Sequence, residues 1–350
     1  MINDKNLKQE GAEGSTNLQA QIITINQGLS YSDVKEIADG IFKSNFMELS
    51  EKAANIAQER VDELVDKFLD GLKNRNPETL QNMEDPAMQY ALFTAQKEYA
   101  KSGDKDLGDI LVDILVDRAA LSERSLKQIV LDESLDVVSK LTDNQLDTLT
   151  IIFLLKHTIN NDLDSLEKLD EYLNINIKPF VSGLSKENSL FQHLEYCGCS
   201  TISDGLLGLE GLFNDRYKGL FSNGFTVEEF IKTYSPIEKY NEYFTTSLHD
   251  VSKLQIGFRN DDDLEEKLSQ NKVPSDIIEN LKQFFNLTTM PLSDIKSYLI
   301  NKREYMSTLF DIWENSHLQG MSITSVGIAL AQANFRRKTG ISIDLGIWIK

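Results

Sequence analysis

Cysteine is nearly missing from this chain: Cys197 and Cys199 are the only two among 350 residues. A single pair two positions apart builds no disulfide framework, which excludes the small cross-linked secreted scaffolds. Proline is scarce at 6, and glycine numbers 19. So few breakers over this length favour long helices over many short strands and turns. Basic residues are in deficit as well, 36 Lys and Arg against 55 Asp and Glu, for a formal net charge of −19. That balance argues against sequence-independent binding of DNA or RNA, where phosphate neutralisation supplies most of the affinity. It disfavours anionic membrane surfaces for the same reason. Long apolar runs are missing too. Ile151–Leu155 is typical of the longest, far below the roughly 18 residues that mark a membrane span. No transmembrane segment is expected. Met1–Gln21 is polar and lacks the apolar centre of a signal peptide, so the sequence predicts a cytoplasmic protein.

What is present is the composition of a folded protein. Hydrophobic residues make up 41% and charged residues 26%, enough apolar content for a substantial core in a chain of this length. The fold class expected is mainly α: a multi-helix body with a long N-terminal helix, an N-terminal oligomerisation strand and a small C-terminal β-α-β unit. Four segments are expected. Residues 1–14 form a disordered lead, and 15–75 an oligomerisation strand plus a long stalk helix. Residues 76–195 form a helical domain. Residues 196–350 hold a Gly/Phe-rich segment, further helices and the β-α-β unit.

In the strand Asn17–Ile25, Leu18, Ala20 and Ile22 share one face while Ile23 and Ile25 point to the other. Nothing nearby offers it a hairpin partner, so it must pair with a distant strand or with copies of itself. Leu18, Ile22, Ile23 and Ile25 are therefore expected to join subunits into a homo-oligomer. The helix over 32–74 would be about 65 Å long. Its second half carries Ala53, Ala57, Val61, Leu64, Phe68 and Leu72 in one stripe. Two readings stay open for that stripe. It is either one face of an intramolecular bundle helix or, through Ala57, Val61, Leu64 and Phe68, the seam of an intermolecular coiled coil.

Further helices follow with legible caps. Pro86 follows Asp85, Thr142 and Gln145 form a capping box, and Thr226 with Glu229 does the same. Pro274 and Pro291 start two more, the second expected over Asp294–His317. The C-terminus pairs Met321–Ile323 and Ile341–Ile349 around a helix at Ser325–Lys338, as a β-α-β unit or as two antiparallel strands.

Three stretches carry a resemblance. They are I-T-I-N-Q-G-L-S-Y-S-D-V-K-E-I-A-D-G-I-F-K-S-N-F (Ile23–Phe46), G-L-F-S-N-G-F (Gly219–Phe225), and T-S-V-G-I-A-L-A-Q-A-N with D-L-G-I-W-I near the end. Together they resemble a family of bacterial cytoplasmic proteins named after locus tags, over the first quarter well and the last third loosely. That resemblance implies no reaction and no catalytic residue. A polar strand followed by a helix also resembles the N-termini of bacterial conflict-system proteins, which implies an oligomerisation device and an antiviral setting.

Few residues suggest chemistry. His193, Cys197 and Cys199 form a cluster of metal-ligand types, with His193 and Cys197 four apart on one helix face. Zinc would need a fourth ligand, and Asp204 or His249 could supply one only by tertiary accident. Two buried thiols at a helix end are the plainer reading. Gly205-x-x-Gly208-x-x-Gly211 lacks the Lys-Ser/Thr of a phosphate loop. Close helix packing or a folded loop is the plainer reading; the stretch could instead be a ligand-binding loop or, with Leu206, Leu207, Leu209, Leu212 and Phe213, enter a membrane. Asp261–Asp263 with Glu265 and Glu266 invites a calcium reading, but without a calcium loop's turn glycine or its twelve-residue ligand pattern a solvated helix N-terminus is the plainer one. His249-Asp250 has no nucleophile motif beside it. Arg336-Arg337-Lys338 sits where cations complement a helix C-terminus. No cofactor is expected and no catalytic residue stands out.

The leading expectation is a cytoplasmic, homo-oligomeric interaction or assembly protein, set in bacterial anti-phage defence. A possible protein partner would use the Gly/Phe-rich region and C-terminal unit. The alternatives are a metal-dependent hydrolase using His193, Cys197 and Cys199, and a membrane-perturbing effector using Gly205–Phe221.

Overall fold

The structure, a computed structural model, describes residues 29–45 and 51–349. The chain is mainly α, as the scarcity of breakers predicts. It opens with α1 (Tyr31–Asn45) and α2 (Glu51–Arg75). These are not one stalk. Lys35 meets Asp66 at 2.6 Å and Gln58 meets Asp39 at 3.0 Å. In a continuous helix residues 35 and 66 would stand about 47 Å apart. The two helices therefore lie side by side and antiparallel, an arrangement no local pattern encodes.

Next come α3 (Pro86–Ser102), α4 (Lys105–Ala119), α5 (Leu126–Val138) and α6 (Asp143–Ile152). Asp85 caps α3 ahead of Pro86, and the Thr142–Gln145 capping box opens α6 as expected. The α2 stripe packs on α3 and α4 of the same chain. Ala57, Val61, Leu64, Phe68 and Leu72 are all buried there. This corrects the coiled-coil alternative: an intermolecular seam needs those side chains uncovered, and the chain covers them itself. Leu18, Ile22, Ile23 and Ile25, with the expected lead over 1–14, lie outside the described residues.

After α6 the chain runs through α7 (Leu166–Tyr172), α8 (Lys178–Val181), α9 (Asn188–Tyr196), β1 (Ser200–Ile202) and α10 (Leu209–Tyr217). A smaller unit follows: α11 (Val227–Ile231), β2 (Phe244–Thr246), β3 (Leu254–Ile256), α12 (Asp261–Gln270) and α13 (Ser275–Thr288). The chain then returns to the main body as α14 (Leu292–Lys302), α15 (Tyr305–Glu314), β4 (Met321–Ile323) and α16 (Ser325–Thr339). The single helix expected over Asp294–His317 is thus two. It breaks at Arg303, whose backbone is extended and whose guanidinium reaches Asp170 at 2.6 Å.

α16 is the centre of the main core. Every residue from Val326 to Phe335 is buried, and a helix covered on all sides must be apolar or internally paired. Its two polar members comply: Asn334 donates to Asp147 Oδ1 at 3.1 Å and to Thr150 Oγ1 at 2.9 Å, and Gln332 donates to the Ile343 carbonyl. Gly327 is required by contact: a Cβ there would stand 2.1 Å from the Cys199 carbonyl oxygen. Arg336, Arg337 and Lys338 turn to aspartates on α4 and α6, with Arg336 on Asp113 at 2.8 Å and Lys338 on Asp147 at 2.6 Å.

The C-terminal β-α-β unit is absent from the described residues. β4 pairs antiparallel with β1, Ser200 opposite Ile323 and Ile202 opposite Met321. Beyond Gly340 the chain forms no strand, only a short helical turn at Leu345–Ile347. The apolar alternation was a misleading signal, because Ile347 is exposed while Leu345 and Ile349 are buried against the body. Trp348 anchors this tail, donating from Nε1 to the His157 carbonyl at 2.9 Å and meeting the Phe153 ring edge-on at 4.9 Å.

Candidate ligand cleft at the neck between two cores

Apolar burial falls into two clusters. The main core draws on residues from Val34 to Phe221 and again from Ile295 to Ile349, so it runs across the expected boundaries at 75 and 195. The second core belongs to the smaller unit and is rich in rings: Phe225, Phe230, Tyr240, Phe284 and Phe285. Phe230 alone stands within 5.0 Å of the Tyr240, Phe244 and Phe284 ring centroids.

Two adjacent crossings join the units. Phe221–Asn223 runs out beside Thr288–Met290 running back. The Asn223 amide donates to Thr288 at 2.8 Å and the Met290 amide to Phe221 at 2.7 Å. The outgoing crossing is the G-L-F-S-N-G-F stretch. Phe221 belongs to the main core and Phe225 to the second. Gly219 permits the close approach at its start, since a Cβ there would sit 2.4 Å from the Phe258 carbonyl oxygen. The glycine amide instead donates to the Arg259 carbonyl at 2.8 Å.

Beside this neck lies a cleft of about 490 Å³. Asn161 and Asp164 contribute from the main body, Gly219 and Leu220 from the neck, and Gln255, Arg259, Asp263 and Lys267 from the smaller unit. Gln255 is buried and fully committed. It accepts from the Leu248 amide at 2.9 Å and donates to the Gly219 carbonyl at 3.0 Å. Asp263 takes the Arg259 amide at 3.1 Å and Lys267 Nζ at 3.0 Å. Burial pushes its carboxyl up, but these two donors outweigh that and hold it below its usual range. Asp164 is paired with Lys168 at 2.9 Å.

Arg259 is different. Its Nη1 donates to Asn161 Oδ1 at 2.6 Å. Its Nη2 is 3.9 Å from Asp263 Oδ1, beyond hydrogen-bonding distance, and its Nε is sealed from solvent without a partner. Of these cleft residues, composition and spacing had singled out only Asp263, as part of the acidic start of α12 and not as part of a cleft. The other signal was the G-L-F-S-N-G-F motif that forms one wall. A groove of about 550 Å³ between α1 and α2 is larger, but it is walled by one unit, and its lysines Lys35 and Lys43 are paired with Asp66 and Asp39.

The sequence-predicted candidates fall elsewhere. His193 and Cys197 do meet, Nε2 to Sγ at 3.6 Å, while His193 Nδ1 contacts Gln145 at 2.8 Å. Cys199 is buried with its thiol on the Cys197 carbonyl at 3.8 Å. Burial pushes the Cys199 thiol up to about 12 and also raises Cys197, both unfavourable to a thiolate ligand. Among the described residues no group of three or more His, Cys, Asp or Glu side chains is placed to hold a metal ion. His193, Cys197 and Cys199 therefore have no three-ligand arrangement behind them, and it is the Cys199 carbonyl that meets the start of α16, accepting from the Thr324 amide at 3.0 Å. His249 does not complete the group: its Nε2 is on the Leu220 carbonyl at 2.8 Å. In the glycine-spaced stretch, α10 buries Leu209, Leu212 and Phe213 and leaves Leu206 and Leu207 exposed. Asp261 opens α12 behind its Asn260 cap. Among the described residues no helix is long and apolar enough to cross a membrane.

Residues 28–349 match the model of a protein family whose description reads ":-like". The chain belongs to that family. The match takes in α1, both cores and the neck, so the cleft lies wholly within it. The description names no reaction and no ligand. Comparison with curated proteins and with solved structures returned no match.

Proposed function

We propose that this chain is a homo-oligomeric interaction protein whose recognition element is the neck cleft. The observation carrying this reading is that the cleft takes its walls from both units and from the strands joining them. A molecule seated there touches both units at once, so its binding energy acts on the angle between them. Sites between structural units are common positions for ligands for this reason. Assembly is assigned to Leu18, Ile22, Ile23 and Ile25, on the strand pattern alone. Bacterial defence against phage is the proposed setting, supported by the resemblance of the N-terminus to conflict-system proteins. A cytoplasmic location goes with that setting.

Native mass spectrometry tests both halves. The full chain should be oligomeric, and a chain beginning at Ser30 should be monomeric; equal masses would refute the assembly half. Thr245, on β2, also lines the cleft, and a small molecule retained by the full chain should be lost from Thr245→Trp, which puts an indole into that space. Retention in that variant would refute the cleft as the recognition element.

A further inference from the structure

The geometry points to a small organic anion as the ligand of the cleft, its carboxylate or phosphate held by Arg259 and its apolar body against Leu220, Leu248 and Phe258. This inference rests on the cleft being the recognition element.

The argument is one of charge and of hydrogen-bond geometry. Two carboxylates line the cleft and each has its own lysine, Asp164 with Lys168 and Asp263 with Lys267. Asp263 also accepts the Arg259 backbone amide. Arg259 therefore has no hydrogen-bonded carboxylate, only the Asp263 charge 3.9 Å from its Nη2 and shared with Lys267, in a chain carrying a net charge of −19. Only Nη1 has a partner, the neutral Asn161 side chain. Nη2 has none within hydrogen-bonding distance, Asp263 Oδ1 standing 3.9 Å away, and because Nε is sealed from solvent it is Nη2 that can donate to a carboxylate or phosphate oxygen in the cleft. The side chain is 22% exposed, which places the charge at the cleft wall with limited screening. Leu220, Leu248 and Phe258 line the same space, and about 490 Å³ falls within the range of small-molecule sites.

The test uses three probes of one shape: phenyl phosphate, benzoate and neutral benzamide, titrated into the full chain by calorimetry. At least one anion should bind tenfold or more tightly than benzamide, and the stronger of the two identifies the headgroup. Arg259→Gln should abolish that preference while leaving benzamide affinity unchanged. Thr245→Trp, which keeps Arg259, should weaken all three. Equal binding of anions and benzamide, or a preference surviving in Arg259→Gln, would overturn the anion inference. If benzamide then still responds to Thr245→Trp, the cleft stands without it. Binding of all three that ignores Thr245→Trp would overturn the cleft as well.

Discussion

Gly219→Ala should loosen the neck. The new Cβ would sit 2.4 Å from the Phe258 carbonyl oxygen, against about 3.5 Å for ordinary non-bonded contact. The backbone of the smaller unit must therefore retreat by about 1 Å. Overpacking of this kind costs about 1–3 kcal/mol. The retreat also pulls on two bonds that fix the neck: the Gly219 amide to Arg259 and the Gln255 side chain to the Gly219 carbonyl. Gln255 is only 4% exposed, so water cannot replace its partner, and one lost bond adds about 1–2 kcal/mol. The expected loss is about 2–5 kcal/mol. For a chain of 350 residues that corresponds to a fall in melting temperature of roughly 3–7 °C. Gly211→Ala is the matched control. Nothing stands within 4 Å of its added Cβ in α10, so helix propensity predicts a gain of about 0.5–1 kcal/mol. Scanning calorimetry gives both melting temperatures, and hydrogen exchange at residues 219–225 and 254–259 reports the neck itself. A Gly219→Ala protein with the wild-type melting temperature and unchanged exchange there would refute the close-approach argument.

Lys156→Met should lose about 3 kcal/mol in urea unfolding, because Lys156 Nζ donates to the Leu318, Gln319 and Met321 carbonyls at 2.8, 2.9 and 2.8 Å. Unchanged stability would show that water satisfies those carbonyls. Trp348→Ala removes the half-buried anchor of the C-terminal tail and should cost about 3 kcal/mol. Wild-type melting of that variant would mark residues 341–349 as dispensable. Asp263 sets a pH dependence. Its folded carboxyl lies below the usual 3.8, so its contribution is complete above the unfolded value and lost as pH falls through the folded one. Asp263→Asn should therefore melt lower than wild type at pH 7, with the gap closing on acidification below the usual value; a gap independent of pH would refute that origin.

Local chemistry was legible in the sequence because it acts over one or two turns. Scarce proline and glycine settled the mainly α class. The Thr142–Gln145 and Thr226–Glu229 boxes and the Asp85-Pro86 start marked helix ends, since each cap satisfies backbone donors within three residues of itself. The α2 stripe from Ala57 to Leu72 was visible as an apolar face. What covers that face was not, because a period of 3.6 residues reports burial and never the partner. The pairing of β1 with β4 joins residues about 120 apart, while Ile341–Ile349 has a strand's alternation and no partner edge. The cleft was the least legible of all. Asn161, Gly219, Gln255 and Arg259 lie in separate stretches of chain. Whether an arginine is left without a hydrogen-bonded carboxylate depends on which carboxylates the fold brings to it, and only the tertiary structure decided that.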